Sequence, residues 1–414
     1  MTDLPAPIRC TPASSLSLTA PRRHPLSFRA LGRTSWWMRR VAACVALTAS
    51  AASSARAQAV IGYGDDATTM PGGMVRISLL DTWSRWYQEY DAATGASIQA
   101  RSQQRITPLT IDLGITNRLM LSASVASVGT KEIATYFPDT ARDIHADSLR
   151  TFDRSGLGDA MATLKFVWLG QELEKERSAA RGLHVRSALA ASGIIGTGRP
   201  PRPFDQFGLA TGEGESGIAA GSFWDVRAGH TFWTSVALRY EHHTQDTRSL
   251  RVGAGTPGDP FDPTATPLDV TRRLGDAYSI DVTPRFSLGE YFSLGARYQY
   301  EHEKAGTFSG TLDEVDSAGN VTHLDAASLA PASEFTNQWV GVGVVYSTVS
   351  ASESGRGRFP FELTLQYRRS VSLSGGRPER GEWAAGLRFY QKVWGRGMAG
   401  RDAPDAGQRP RDEP

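Results

Sequence analysis

The chain has 414 residues, 40% of them hydrophobic, with 45 Lys and Arg against 43 Asp and Glu and a formal net charge of +2. This hydrophobic content excludes a disordered chain, and the balanced charge gives no basis for a nucleic-acid partner. The two cysteines, Cys10 and Cys44, precede residue 58. A chain cleaved there on export would carry no thiol into an oxidising compartment.

Residues 1–57 are predicted to be an N-terminal extension followed by a signal peptide. The apolar run at 41–52 is too short to span a membrane as a helix, but it fits the hydrophobic part of a secretory signal. Met38, Arg39 and Arg40 would supply the basic start of that signal, and Met38 is also an alternative initiator. Cleavage after Ala57 then leaves 58–73 as a periplasmic N-terminal segment.

Residues 74–394 are predicted to form an outer-membrane barrel. Apolar and polar residues alternate along twelve stretches, and the connectors between them are alternately long and short, as in a transmembrane β-barrel. In a closed barrel, every second residue of a strand can place an apolar side chain against lipid while every backbone N–H and C=O group is hydrogen-bonded. No other strand arrangement achieves both. We therefore expect an all-β, transmembrane antiparallel β-barrel of about 12 strands, with counts of 10 to 14 left open: 74–87, 109–115, 119–125, 161–168, 183–189, 216–225, 231–242, 278–288, 292–303, 340–348, 359–367 and 383–394.

The connectors are predicted from the same pattern. The stretches 129–156, 243–275 and 305–334 read as long outer loops, and Gly289 with Glu290 reads as a two-residue periplasmic turn. Asp81 falls on the apolar face of the first strand, so either a bulge or an early exit of the strand from the lipid is expected there. An even number of strands places both ends of the barrel in the periplasm. The tail, 395–414, is polar and without period, and we expect it to be disordered.

Aromatic residues gather near the predicted strand ends, as interfacial girdles require. The alternative is the aromatic core of a soluble β-sandwich. The residues concerned are Trp83, Trp86, Tyr87, Phe223, Trp224, Phe232, Trp233, Tyr291, Phe292, Trp383 and Trp394.

Charged side chains recur on the inward face. They permit two interpretations: a structural network of paired charges, or the selectivity lining of a narrow pore, with more basic than acidic members. The alternation also predicts that reversing the charge of one of them, Arg297, shifts ion selectivity and leaves assembly nearly intact. The lumen-lining candidates are Lys165, His184, Arg186, Arg239, Glu241, Asp281, Arg285, Arg297, Glu301, Glu362, Arg368 and Arg388.

An outer-membrane lipid hydrolase is the enzymatic alternative. His242, His243 and His302 lie near outer strand ends, but no serine accompanies them at a spacing suited to a nucleophile. They also lack a recognised metal-ligand spacing. We therefore expect no enzyme, no cofactor and no metal site.

Four short blocks resemble the outer-membrane barrels grouped as the MetA-pathway phenol-degradation family. They are the Gly-Leu-Gly-Asp of 156–159 with Leu164-Lys165-Phe166, then 211–214, 361–367 and 386–390. The resemblance implies a role in uptake or export of small aromatic or hydrophobic compounds and carries no catalytic residue. The polar tail departs from the family pattern, so Trp394 would have to signal to the barrel-assembly machinery from an internal position.

These observations predict an exported outer-membrane channel or transporter for small molecules. A non-conducting structural or adhesive scaffold is the alternative, because a barrel fold does not fix a function. The expected partners are outer-membrane lipid, the barrel-assembly machinery and small solutes.

Overall fold

The computed structural model describes residues 66–91, 97–137, 148–170, 182–200, 209–229, 231–253, 266–315, 319, 321–349, 359–374 and 379–394. The predicted signal peptide, residues 171–181 and the predicted tail lie outside the described residues. Within the described part of the chain, no helix is both long and apolar enough to cross a membrane.

Twelve antiparallel strands close into a barrel, which confirms the predicted fold and strand count. Neighbours along the barrel are also neighbours in sequence, apart from strands inserted in two outer connections, and the last strand pairs with the first. The barrel strands are β1 (Met74–Asp91), β2 (Ser97–Gly114), β3 (Leu119–Phe137), β4 (Ser148–Leu169), β5 (Leu183–Ile195), β6 (Gly217–Ala228), β7 (Phe232–His243), β10 (Ala277–Leu288), β11 (Phe292–Glu303), β15 (Phe335–Ser347), β16 (Phe361–Leu373) and β17 (Arg380–Lys392).

The outer wall is apolar and the interior is polar. On β1, Leu79 is 45% exposed while the adjacent Ser78 is 8% exposed, and on β2 Ile111 is 46% exposed beside Thr110 at 9%. A soluble protein shows the reverse distribution. The soluble sandwich alternative is therefore wrong, since this pattern suits a wall that faces lipid.

Strands β1 to β4 run well beyond their apolar segments. β3 continues to Phe137 and β4 begins at Ser148, so the prediction of a loop over 129–156 is wrong. Above the membrane the outward face of a strand contacts water instead of lipid, so the hydrophobic alternation ends there although the backbone ladder continues. Hydrophobic period alone therefore marks the membrane-embedded part of each strand.

The predicted bulge at Asp81 is also absent. The register of β1 against β17 is continuous from Met74 to Trp86. Asp81 accepts hydrogen bonds from Arg105 Nη2 at 2.5 Å and from Thr107 Oγ1 at 2.8 Å. Arg105 thus neutralises the carboxylate on the outer wall, and no bulge in the backbone moves the Asp81 side chain away from that face.

The two long outer connections contain ordered strands. β8 (Asp246–Val252), β9 (Thr266–Arg273) and β12 (Thr307–Ser309) form one small sheet, and β13 (Thr311–Val315) and β14 (Val321–Asp325) form a hairpin. The prediction of plain loops over 243–275 and 305–334 is therefore wrong. Buried Val252, Val270, Leu324 and Ala326 form a small core, completed only when both connections fold together.

Three connections at the opposite rim are short, namely 115–118, 229–231 and 289–291. Leu288 pairs with Phe292, so the turn at 289–291 has one residue more than predicted. Gly289 adopts φ 72°, a conformation that glycine takes without steric cost. Outward aromatic rings lie beside this rim, with Phe232 and Phe286 at 5.0 Å between centroids.

Replacing Ala296 with Arg tests the outward face. Ala296 is exposed on β11, next to buried Arg297. A charge on the lipid face near mid-membrane costs about 2–4 kcal/mol, so we expect Ala296→Arg to lower the yield and thermal midpoint of folded barrel on heat-modifiability gels. Ala296→Leu, which adds bulk without charge, should fold like the wild type. Equal folding of both variants would mean that Ala296 does not face lipid.

The barrel interior as candidate functional site

All twelve candidate residues lie on the inward face defined by strand register. Their role as a passage lining stays a prediction. Seven are buried, namely Lys165, Arg186, Glu241, Asp281, Arg297, Glu301 and Arg368. The other five, His184, Arg239, Arg285, Glu362 and Arg388, are partly exposed.

Ion pairs tie many of these side chains together. Arg297 Nε donates to Asp281 Oδ2 at 2.6 Å, and Arg368 Nε donates to Glu382 Oε2 at 2.7 Å. Arg186 Nη2 lies 2.9 Å from Asp225 Oδ2. Asp225 and Glu382 were missed in the sequence, although period two places each of them inward. Buried charges are tolerated when paired in this way.

The pairs continue into a hydrogen-bonded network across β11, β15 and β16. Glu301 accepts from Trp339 Nε1 at 3.1 Å and from Gln299 Nε2 at 2.9 Å. Arg368 Nη1 donates to Gln299 Oε1 at 2.7 Å, and its guanidinium lies 4.1 Å from the Trp339 ring centroid. This side of the interior is therefore a connected polar wall.

The adjoining part of the interior, on β4 to β7 and β10, combines aromatic rings with cations. Phe223 and Trp233 face inward, not toward the membrane interface as predicted, because alternation sends only one of two adjacent aromatic residues to each face. Lys165 Nζ lies 4.4 Å from the Phe223 centroid. Arg285 and Arg186 lie 5.1 Å and 5.7 Å from the Trp233 centroid. We call Phe223, Trp233 and these cations, together with Arg239 at 5.9 Å from Phe223, the aromatic–cationic patch.

The segment 66–73 lies inside the periplasmic end of the barrel. This segment carries no hydrophobic period, and we had predicted it as periplasmic. Lys165 Nζ donates to the Asp66 carbonyl oxygen, and Thr69 Oγ1 donates to the Asn117 carbonyl oxygen at 2.9 Å. Ala67 is fully buried.

Ala67 belongs to an apolar cluster on the far side of the barrel from β1. The cluster contains Ala188 on β5, Phe223 on β6 and Ala237 on β7, and β7 is six strands from β1 in either direction around the barrel. The seven residues from Ala67 to Met74 can extend over about 24 Å, which is enough to cross a barrel of this size. We call 66–73 the crossing segment, and it covers the Phe223 ring.

The outer sheet is attached to the barrel rim near Glu215. Arg272 Nη2 donates to the Glu213 carbonyl oxygen at 2.7 Å, and Leu274 N donates to Glu215 Oε1 at 3.3 Å. Burial raises the pKa of the Glu215 carboxyl to about 8, although nearby Arg272 opposes the rise. Glu215 is therefore protonated in the folded rim at neutral pH.

This titration predicts a pH-dependent rim. The pKa of Glu215 in the folded protein lies above the ordinary value of 4.5. The stabilisation that the protonated carboxyl contributes is therefore fully present below pH 4.5 and is lost as the pH rises through about 8. We expect hydrogen exchange around Leu274, corrected for intrinsic rates, to speed up between pH 5 and 9. Glu215→Gln should remove this dependence, and an unchanged pH profile in the variant would contradict the assignment.

The histidines occupy separate positions. His242 Nδ1 lies 2.8 Å from Asp276 Oδ1, and His302 Nδ1 lies 3.0 Å from Thr336 Oγ1. His243 Nε2 lies 3.5 Å from Glu241 Oε1 on the inward side. Among the described residues, no group of three or more His, Cys, Asp or Glu is arranged to hold a metal ion.

A closed barrel with an apolar outer wall and a polar interior defines this chain as an outer-membrane β-barrel protein. It is similar to the COG4313 outer membrane channel from Pseudomonas putida F1, at 12% identity and TM-score 0.50, over 79% of this chain and 98% of that one. It also matches the transport unit of the autotransporter AIDA-I from Escherichia coli, at 12% identity and TM-score 0.38, over 82% and 94%.

A further match is the TodX deltaS2S3 mutant, a monoaromatic hydrocarbon channel, at 8% identity and TM-score 0.35 over 78% of this chain and 91% of that one. At such identities the likeness is one of fold alone. No family model and no curated protein sequence matches the chain. These structural neighbours are channels and transport units rather than enzymes.

Proposed function

We propose that the protein is an outer-membrane channel for small aromatic anions, gated by the crossing segment. The aromatic–cationic patch supports this most directly. A ring-bearing carboxylate or phenolate can stack on Phe223 or Trp233 while its charge lies near Lys165 or Arg285. The MetA-pathway resemblance agrees with this choice of solute.

The non-conducting scaffold remains the second candidate. The buried pairs Arg297–Asp281 and Arg368–Glu382 support it, because they neutralise charge that a lining would otherwise present to solutes. The two functions differ in one respect that can be measured: a scaffold admits no solute.

Reconstituted barrel should be tested by planar-bilayer conductance and by liposome swelling with benzoate and acetate. The two anions share a carboxylate and differ in the ring. We expect both anions to enter. The ratio of the benzoate entry rate to the acetate entry rate should exceed the ratio of their diffusion coefficients in water.

Phe223→Leu should reduce the benzoate preference, because it removes the inward ring. Trp224→Leu is the matched control, since Trp224 is the outward neighbour, 5.8 Å from Trp168 between ring centroids. Absence of conductance and of solute entry would overturn the channel. Equal benzoate preference in the wild type and Phe223→Leu would overturn the aromatic solute class.

A further inference from the structure

Four cations surround Gln103 on the outer wall. Gln103 pairs directly with Arg85 on β1 and with Lys131 on β3. Arg101 and Arg105 lie two residues away on β2, and therefore on the same face. Directly paired residues have Cβ atoms about 5 Å apart, so all five side chains lie together. We call Arg85, Arg101, Arg105 and Lys131 the outer cationic patch.

The patch keeps a positive excess. All four cations are exposed. Nε and Nη2 of Arg105 donate hydrogen bonds to the Asp81 carboxylate at 2.8 Å and 2.5 Å. Nη1 of Arg105 takes no part in this ion pair. Asp153 is the strand partner of Lys131. Among the described side chains, no ion pair joins Arg85, Arg101 or Lys131 to an acid, and two carboxylates, those of Asp81 and Asp153, lie beside the four cations.

A groove lies along these residues. Its volume is about 990 Å³, and its lining includes Arg85, Arg105 and Lys131 as well as Trp83 and Trp383. Gly129 also borders the groove, and nothing lies within 4 Å of the place where a Cβ would stand on this residue. The groove is thus large enough for a headgroup and open toward the surroundings of the barrel.

The depth of the patch matches the headgroup layer. Trp83 pairs with Trp383, and Trp383 pairs with Tyr367, so these outward rings form one level of the wall. Such rings sit at the membrane interface. Arg85 and Lys131 lie one outward position beyond this level, on the side of the long connections, which is the cell exterior in such barrels.

We propose that the outer cationic patch binds the phosphate-bearing headgroup of an outer-leaflet lipid. Guanidinium groups pair with phosphate through two parallel hydrogen bonds, and ammonium groups add charge. The groove opens on the outer wall beside Trp83 and Trp383, where membrane lipid is the neighbour. A lipid therefore reaches it along the membrane without entering the barrel.

Native mass spectrometry of the folded, full barrel in detergent micelles tests this site. The probe is bis-phosphorylated lipid A, added in a concentration series. We expect the wild type to retain one molecule, and Arg85→Gln/Lys131→Gln to bind it about tenfold more weakly or worse, a loss that corresponds to about 1.4 kcal/mol. Arg118→Gln, an exposed cation at the opposite rim, should bind like the wild type.

Two further arms identify the ligand chemistry. The wild type should not retain dephosphorylated lipid A better than the double variant does, because this lipid lacks the phosphate groups that the patch binds. Inorganic phosphate at the lipid concentration should not displace the lipid; displacement would overturn the lipid assignment in favour of free phosphate. Equal retention of lipid A by the wild type and the double variant would overturn the site itself.

Folding is checked on heat-modifiability gels. Gln103→Glu, which places a carboxylate among the four cations, gives a second test without removing any of them. It should also weaken lipid A retention, and unchanged retention would contradict the proposal.

Discussion

Replacing Ala67 with Glu should raise the conductance of the barrel severalfold. Ala67 is fully buried among Val167, Ala188, Phe223 and Ala237, and a longer side chain at this position would overpack the cluster and strain it. Residues 66–72 of the crossing segment can leave the bore without breaking a hydrogen bond between barrel strands, because they precede β1. Single-channel recording in planar bilayers measures the effect.

Ala67→Ser is the matched control for this variant. Serine adds one oxygen at the same position and should leave the crossing segment in place, so its conductance should stay near that of the wild type. Wild-type conductance in Ala67→Glu, with folding intact, would mean that the segment does not obstruct the passage.

Replacing Arg297 with Glu should strongly destabilise the barrel. From sequence alone the reversal was expected to leave assembly nearly intact, but Arg297 is bound to buried Asp281. Removing one partner of a buried pair costs about 3–5 kcal/mol, because the other charge stays buried and uncompensated. The new carboxylate also adds repulsion from Asp281. Urea unfolding of the barrel in micelles measures the loss.

An exposed pair supplies the control for Arg297→Glu. Arg369 lies 3.0 Å from Glu379, and both side chains are more than half exposed, at 63% and 66%. Exposed pairs contribute about 0–1 kcal/mol, so Arg369→Gln should unfold near the wild-type urea concentration. Equal losses in the two variants would show that Arg297 is not held by a buried pair.

The sequence predicts the barrel well because contact with lipid requires apolar and polar residues to alternate within each strand, and this alternation can be read from a short stretch of sequence. Each membrane-embedded strand must alternate, so the face of Leu79 and the face of Arg297 both follow from parity. The same rule places the twelve charged candidates inward. The pairing of Arg186 with Asp225 depends in addition on strand register, which a single sequence specifies poorly.

The remaining features depend on contacts between distant parts of the chain. The outer core brings Val252 and Val270 together with Leu324, which lies 72 and 54 residues further along the chain, and no hydrophobic periodicity in the sequence links these residues. The crossing segment is held by Lys165 and Asn117, far away in sequence. The strand extensions above the membrane carry no hydrophobic alternation, because their outward faces contact water instead of lipid.

A reversible cross-link tests most directly the claim that the crossing segment obstructs a conducting passage. Ala67→Cys with Ala188→Cys places two thiols within one apolar cluster, in a chain whose own cysteines, Cys10 and Cys44, are changed to Ser. We predict low conductance in the oxidised barrel and a rise on addition of a reductant, whereas each single Cys variant should not respond. The same conductance before and after reduction, with the disulfide verified by mass spectrometry, would contradict this gating mechanism.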